Sequence, residues 1–418
     1  MKPGPPKILI RGGGFVNKGA EAMLCTARQE LLARIPGAEF LTALPQGPLA
    51  GNVAAGFSPL PQPQEGKLHK AVRLARSLCS CPSLAANVLG NTWATIQAFA
   101  QVDGVDAIVD VSGFSYADVW GSAPARTTWA YVCSANKHGK PYIFLPQAWG
   151  PFTQRGVAHM TRRLLRSSPL VYARDQESLS HLTSLCGSRT EKIRLAPDIA
   201  FRFAGDAPEA GAKLLTDHGI ATQGSPIVGI APNMRIYERA KGEGENNEYV
   251  RLLVDLAGQI VQFGALVVLI PHEIGLRDDG QDDRFLCALI RKAASHMDKV
   301  HAMTDGYSAA AIKSVIARLD LLVASRFHSI VAALSSRVPP VVIGWSHKYI
   351  ELMGSLGLEE YVLDYTKCQR RDLVAKLDKA LANRDTLREQ IAGRLAPIAQ
   401  EVDSVFDTVA GVILSRTK

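Results

Sequence analysis

Short apolar runs, each followed by a longer amphipathic segment, recur along the first half of the chain. The runs that predict strands cover residues 7–11, 41–44, 106–111, 141–145 and 170–173. Segments with helical spacing of apolar positions cover residues 20–35, 123–137, 157–166 and 176–185. This alternation is typical of parallel strands joined by crossover helices. The first half therefore predicts one doubly wound α/β sheet.

The same alternation starts again after residues 196–198. Strand candidates in the second half cover residues 226–231, 265–270, 299–302, 319–324 and 339–343. The intervening residues 203–225 are rich in Gly and Ala, so we place a domain boundary near residue 200. We expect two Rossmann-like domains, at residues 1–200 and 201–395. The helical tail contains two amphipathic stretches joined near Pro397, and residues 396–418 are expected to pack back on the first domain.

Composition is that of an ordinary globular protein, with 418 residues, 47% hydrophobic and 21% charged. The strongest apolar run, residues 265–270, is far shorter than the ~20 residues that span a bilayer. The chain start also lacks the apolar core of a secretory signal, so we expect a cytoplasmic protein. Residues 45–66 are rich in proline and predict a long surface loop or flap.

Charge and cysteine content limit the ligands. The 47 basic and 39 acidic residues give a formal net charge of +8, which suits phosphate or carboxylate ligands or an anionic membrane face. No dense basic run is present, which disfavours nucleic acid. Of the seven cysteines only Cys79 and Cys81 lie close together, without a second pair. Neither a metal site nor a disulfide framework is expected.

The clearest candidate chemistry follows the strand at residues 319–324. Arg326 is always charged and His328 titrates near neutrality, so together they can bind an anion and move a proton. Arg235 and His272 follow two other strands of the second domain and are expected on the same rim of the sheet. A lone histidine at a strand end is more often structural, but four convergent groups favour catalysis on an anionic substrate. Lys348 would add an ammonium to this rim.

Turns of the first domain leave several alternatives open. The glycine-rich turn before Asn17 does not meet the dinucleotide fingerprint, and no acidic residue ends the second strand, so NAD is disfavoured. Asn17 either caps the following helix or contacts a ligand. Trp149 is either part of a sugar site or a structural plug. Arg174 is either an anion clamp or a salt-bridge partner of Asp175 or Asp198, and Asp175 is predicted to cap the next helix.

Taken together, these stretches resemble the polysaccharide pyruvyl transferase family over most of the chain. The matching motifs are Asn-x-Gly-Ala-Glu at 17–21, Pro-Gln-x-x-Gly-Pro-Phe at 146–152, Arg-Asp-x-x-Ser at 174–178, Pro-Asp at 197–198, Arg-x-His at 326–328 and the lysine at 348. Their order and spacing are specific. The Arg-Gly-Gly-Gly turn at 11–14 and the Asp-Val-Ser-Gly-Phe loop at 110–114 depart from the family pattern, which bears on the acceptor more than on the donor.

The resemblance implies a glycosyltransferase-B architecture with the active site in the interdomain cleft. It implies that phosphoenolpyruvate is the co-substrate, that no other cofactor is used, and that pyruvate forms a ketal across two hydroxyls of a sugar. The acceptor would be an exopolysaccharide of the cell envelope or its lipid-linked precursor. Phosphoenolpyruvate carries about three negative charges, which a rim of Arg and Lys matches. Peripheral contact with the inner face of the membrane is compatible with the basic charge.

The hypothesis for the mechanism gives each candidate residue a role. His328 protonates the methylene carbon of phosphoenolpyruvate, and a sugar hydroxyl attacks the resulting centre. Arg326 holds phosphate and carboxylate, and His272 or Glu21 takes the hydroxyl proton. Substrate contacts are assigned to the five residues Arg235, Arg174, Lys348, Asn17 and Glu21.

Two other functions remain open at this point. A nucleotide-sugar glycosyltransferase on the same fold would need an acidic ribose-binding residue, for which Glu351 and Glu359 are candidates, although neither clearly ends a strand. A non-catalytic carbohydrate-binding or assembly protein would have no need for both Arg326 and His328. The acceptor sugar, the hydroxyls that are bridged and the oligomeric state stay open.

Overall fold

The computed structural model describes residues 4–42, 55–59, 98, 101–187, 191–220, 224–275, 282–344, 347–367 and 370–416. Two compact units contain the described residues. The first comprises those within Met1–Gly13, Ala27–Asp198 and Asp403–Lys418, and the second those within Gly14–Thr26 and Ile199–Val402. Most of the predicted loop at 45–66 and the pair Cys79 and Cys81 lie outside the described residues.

The sheet of the first unit has seven parallel strands in the order β3-β2-β1-β4-β5-β6-β7. They are β1 (Lys7–Arg11), β2 (Glu39–Thr42), β3 (Ser58–Pro59), β4 (Ala107–Asp110), β5 (Tyr142–Gln147), β6 (Leu170–Ala173) and β7 (Ile193–Leu195). The helices of this half are α1 (Lys18–Arg34), α2 (Ala123–Lys137), α3 (Arg155–Ser167) and α4 (Gln176–Cys186). Strands β4 and β5 are buried along their whole length, which explains the apolar runs that precede their last residues, Asp110 and Gln147.

The second unit contains a six-stranded parallel sheet in the order β10-β9-β8-β11-β12-β13. Its strands are β8 (Ile227–Ala231), β9 (Leu266–Leu269), β10 (Val300–Ala302), β11 (Leu321–Ala324), β12 (Pro340–Gly344) and β13 (Val362–Asp364). Helices α5 to α9 are Pro208–Asp217, Met234–Tyr237, Glu248–Gln262, Asp283–Ala293 and Ala309–Ile316. Helices α10 to α13 are Phe327–Ser335, His347–Gly354, Arg370–Ala382 and Arg384–Arg416. The predicted class, two doubly wound Rossmann-like domains, is confirmed.

The C-terminal helices differ from the prediction in one respect. The break between the two amphipathic stretches falls at Asn383, and Pro397 lies inside α13. A proline removes one helical hydrogen bond. Buried apolar side chains before and after it, Ile391 and Val402, hold the helix through this position. From Asp403 onward α13 belongs to the first unit.

Among the described helices, none combines the length and the apolar character needed to cross a bilayer.

Candidate active site

Three neighbouring strands of the second unit end at the same edge of its sheet. Strands β9, β8 and β11 are adjacent and parallel. Their carboxyl ends lead into His272, Asn233 and Arg326 respectively. Ligands of open α/β sheets bind at this edge. The chain therefore gathers its candidate residues where an α/β enzyme places its active site.

A buried carboxylate, Asp283 at the start of α8, ties these strand ends together. Its Oδ1 accepts hydrogen bonds from the backbone N–H of Met234 at 3.1 Å and from Nη2 of Arg326 at 2.5 Å. Its Oδ2 accepts from the backbone N–H groups of His272 at 3.2 Å and Glu273 at 2.8 Å. One side chain thus fixes the segments that follow β8, β9 and β11.

Arg326 is buried and held by two carboxylates. Its Nη1 lies 2.5 Å from Oε2 of Glu273, and its Nη2 pairs with Asp283. Burial alone would lower the pKa of Arg326, but the two carboxylates outweigh it and raise the pKa. Its buried Nε has no hydrogen-bonding partner among the described residues. Arg326 is therefore a fixed cation with one N–H still available to an acceptor.

His272 is a buried neutral histidine. Its side chain is almost fully enclosed, and neither ring nitrogen has a hydrogen-bonding partner among the described residues. Burial, followed by the positive charges of His328, Arg326 and Lys18, holds the pKa of His272 well below its usual value. At neutral pH its ring therefore offers one nitrogen that can accept a proton.

A small cavity of about 10 Å³, roughly the room that one water molecule needs, contains His272 and His328 and opens to solvent. Its other polar lining residues are Lys18 and Lys313, and the remaining six are Ala22, Ala200, Phe203, Ala309, Ile312 and Ala332. None of these lining residues carries a carboxylate. The lining thus offers two ammonium groups and two imidazoles in otherwise apolar surroundings, which suits the charged end of a small anion.

The start of α1 forms part of this cavity through Lys18 and Ala22. The backbone N–H of Lys18 donates to the carbonyl of His272 at 3.0 Å, and Asn17 pairs with Glu273 in an isolated antiparallel bridge. These bonds explain why residues 14–26, which the sequence places in the first domain, belong to the second unit. The side-chain oxygen of Asn17 accepts from the backbone N–H of Gly19 and Ala20, so it caps the helix.

Glu21 and Lys18 form a buried ion pair beside the cavity. Nζ of Lys18 lies 2.9 Å from Oε2 of Glu21, while Oε1 of Glu21 accepts from the backbone N–H of Ala309 at 2.9 Å. Both oxygens of Glu21 are therefore engaged, which leaves His272 as the better placed of the two predicted proton acceptors.

Gly19 makes room for the ring of His328. A Cβ atom at position 19 would lie 2.1 Å from both Cγ and Nδ1 of His328. We expect Gly19→Ala to displace this ring and to lower turnover roughly 100-fold, because the hypothesis for the mechanism makes His328 the proton donor and a displacement of about 1 Å has effects of this size. Steady-state kinetics test this prediction. Gly393→Ala is the matched control, since its Cβ would meet no atom within 4 Å, and an equal loss in both variants would contradict the assignment.

Lys313 was not predicted from the sequence. It lies on α9, is 9% exposed, and donates a hydrogen bond from Nζ to the carbonyl of Phe203 at 2.5 Å. Burial lowers the pKa of Lys313 to about 8. A single lysine within the apolar helix Ala309–Ile316 was the signal in the sequence that could have identified it.

Two of the predicted residues lie away from the cavity wall. The side chain of Arg235 is about half exposed and pairs with Glu238 at 3.2 Å. Its backbone N–H donates to the side-chain oxygen of Asn233, which caps the helix. Nζ of Lys348 lies 5.6 Å from the ring centroid of Phe327. The structure places the charges of Arg326 and His328 near His272. Of the predicted residues, His272 and His328 line the cavity, whereas Arg326, Arg235 and Lys348 do not.

In the first unit, two predicted residues have structural partners. Arg174 is buried and pairs with Asp198 at 3.0 Å and with Asp175 at 3.7 Å. The predicted helix cap at Asp175 is confirmed. Trp149 is buried and donates from Nε1 to the carbonyl of Tyr172 at 2.9 Å, so its ring packs inside the unit.

The two doubly wound units have the glycosyltransferase-B architecture, and solved structures with this fold are similar to the chain. Anabaena Alr3699/HepE, in a crystal structure with UDP and glucose, is 15% identical with a TM-score of 0.59, and 98% of this chain and 100% of that chain are covered. A glycosyltransferase from Rickettsia africae is 11% identical with a TM-score of 0.57, covering 99% of each chain. UDP-GlcNAc 2-epimerase from Neisseria meningitidis, bound to UDP-GlcNAc, is 13% identical with a TM-score of 0.56, covering 98% and 100%.

The family is shown by the sequence. The model of the polysaccharide pyruvyl transferase family matches residues 17–347, and the chain belongs to this family. The amylovoran biosynthesis protein AmsJ of Erwinia amylovora is 22% identical over 290 residues, which cover 69% of this chain and 68% of the relative. The protein is thus a polysaccharide-modifying transferase, and the resemblance found in the motifs is confirmed.

Proposed function

We propose that this transferase moves pyruvate from phosphoenolpyruvate onto two hydroxyls of a sugar, forming a ketal in a surface polysaccharide or its lipid-linked precursor. The observation that carries the proposal is the cavity whose lining holds Lys18, Lys313, His272 and His328 and no carboxylate. Phosphoenolpyruvate is small and carries about three negative charges, so it matches the charge of this cavity. A polysaccharide-modifying family supplies the acceptor class.

In the proposed reaction His328, as an imidazolium, donates a proton to the methylene carbon of phosphoenolpyruvate. The oxygen of the first sugar hydroxyl then bonds to the neighbouring carbon, and its proton passes to neutral His272. The bond from that carbon to the phosphate oxygen breaks, and the phosphate leaves with the electron pair. The second hydroxyl closes the ketal, and its proton leaves with the phosphate. Overall, the two sugar hydroxyls lose one proton each, the methylene carbon gains one proton, and the phosphate gains the other.

The cations of the site hold the charges that shift during this reaction. Lys18 and Lys313 line the cavity, and Arg326 is fixed at the same strand edge by Asp283 and Glu273. Such preorganised charges stabilise a transition state because they need no rearrangement when charge develops. Substrate contacts by Arg235, Arg174, Lys348 and Asn17 stay predictions from the sequence.

Thermal-shift titration tests the donor. We expect phosphoenolpyruvate to raise the Tm of the wild type, since a ligand at 100 times its Kd stabilises the native state by about 2.7 kcal/mol. His328→Asn is expected to reduce the shift, and His159→Asn, an exposed histidine of α3, to leave it unchanged. We prefer His328→Asn to Arg326→Ala, which leaves two carboxylates without their partner. Stabilisation by UDP-glucose or UDP-GlcNAc alone would instead support a nucleotide-sugar glycosyltransferase.

A further inference from the structure

Residues 119–174 of the first unit contain no Asp or Glu. They contain eight basic residues, namely Arg126, Lys137, Lys140, Arg155, Arg162, Arg163, Arg166 and Arg174. This excess equals the formal net charge of the whole chain, +8. Elsewhere acidic and basic residues nearly balance, so the positive charge of this protein is concentrated in one segment.

Two helices present much of this charge. Helix α2 joins β4 to β5 and α3 joins β5 to β6, and these three strands are adjacent and parallel. Right-handed crossovers in the same direction place both helices on one face of the sheet, where they pack against each other. The exposed side chains Arg126 of α2 and Arg155, Arg163 and Arg166 of α3 form what we call the basic face.

The arrangement within α3 is strictly amphipathic. Arg155, Arg163 and Arg166 follow helical spacing on its exposed side, whereas Leu164 and Leu165 are buried. None of the four arginines of the basic face forms an ion pair with a carboxylate among the described residues. Such like charges repel each other, so an anionic partner is the favourable neighbour.

Exposed apolar side chains lie at the end of the same helices. Val119 is 68% and Trp120 is 50% exposed, in a short helix directly before α2. Asp118 holds this helix in place, because its carboxylate accepts from the backbone N–H groups of Thr153 at 2.6 Å and Gln154 at 3.1 Å, immediately before α3. An exposed tryptophan beside arginines is typical of surfaces that enter the lipid headgroup region.

We propose that the basic face, together with Val119 and Trp120, docks on an anionic phospholipid surface. The arginines supply attraction to the headgroups, and the two apolar side chains supply contact that salt does not screen. A nucleic acid would use the charge but would leave Val119 in water, so lipid fits the whole surface better. The docking is independent of the donor and of the reaction.

Cosedimentation with vesicles tests this proposal. We expect the wild type to bind vesicles of phosphatidylcholine mixed with phosphatidylglycerol and not those of phosphatidylcholine alone. Each basic residue near an anionic surface raises the binding constant for that surface roughly fivefold. The affinity of the combined variant Arg155→Gln, Arg163→Gln and Arg166→Gln for the mixed vesicles should therefore fall at least about tenfold. Trp120→Ser should weaken the part of the binding that persists in high salt.

The matched control removes the same charge from exposed positions of the second unit. It combines Lys213→Gln, Lys292→Gln and Arg371→Gln, whose side chains are 74%, 76% and 80% exposed. This control should bind vesicles as the wild type does. Equal losses in both combined variants, or no binding of the wild type to the mixed vesicles, would overturn the proposal. If the same arginines bind a single-stranded oligonucleotide more tightly than the mixed vesicles, the partner of the basic face is a nucleic acid and the lipid proposal is wrong.

Discussion

Replacing Asp283 by alanine is expected to lower the free energy of unfolding by about 3–5 kcal/mol. The carboxylate is fully buried and is the partner of Arg326, so its removal leaves a buried cation with Glu273 alone. It also leaves the backbone N–H groups of Met234 and His272 without the acceptor they have in the native structure. Unpaired buried donors are costly because they lose water without gaining a partner.

Denaturant unfolding of wild type and variant measures this effect. Asp217→Ala is the matched control, since Asp217 forms an exposed ion pair with Lys213 and should contribute at most about 1 kcal/mol. The double variant Asp283→Ala with Arg326→Met should recover part of the loss, because no buried charge then lacks its partner. A loss below about 1 kcal/mol for Asp283→Ala would show that it does not organise the strand ends.

Most of the strands that the sequence predicted are buried on both faces. Strands β1, β4, β6, β8 and β11 each contain an apolar run, because helices cover both sides of a parallel sheet. The edge strands β7 and β13 were not predicted. Each has three residues, of which only Ile193 and Leu363 are buried, so neither produces an apolar run. These two edge strands thus lack the pattern on which prediction depends, whereas the edge strand β10 was predicted at residues 299–302.

The candidate site was predictable where residues directly follow a strand. His272, Arg326 and His328 hold such positions, and topology brings their backbones together. Asp283 and Lys313 were missed because they come from helices whose approach to this edge depends on tertiary packing. Arg235 shows the converse limit, since its backbone lies near the site while its side chain is directed to Glu238. Spacing places a backbone but does not fix where a side chain points.

Several residues of the family motifs have structural roles around the site. Asn17 caps α1, Gly19 leaves space for His328, and Glu21 joins Lys18 to the start of α9. Arg174 neutralises the buried carboxylate of Asp198 in the first unit. Short motifs therefore identified the family correctly, although two lysines that line the cavity are not motif residues: Lys18 fills the variable position of the motif at 17–21, and Lys313 lies outside every motif.

Lys313→Met is expected to stabilise the protein and to weaken the binding of phosphoenolpyruvate. Burial lowers the pKa of Lys313 from 10.5 to about 8, which corresponds to about 3 kcal/mol against the charged form. Methionine fits the same space without charge, but it leaves the carbonyl of Phe203 without its donor. The net gain should be about 1–3 kcal/mol at pH 7, while the loss of a charge-assisted contact should raise the Kd for phosphoenolpyruvate at least about tenfold.

The pH dependence of unfolding tests whether this gain in stability comes from removing the buried charge of Lys313. Below pH 8 Lys313 is protonated in both folded and unfolded protein, so the variant keeps its full advantage. Between pH 8 and 10.5 the folded protein loses this proton first, so the wild type gains stability relative to the variant. Unfolding measured from pH 7 to 10 should show the difference shrinking, whereas Lys213→Met, at an exposed position, should show no such trend. A stable variant with unchanged affinity for phosphoenolpyruvate would mean that Lys313 does not contact the donor, because a buried ammonium costs stability whether or not it binds an anion.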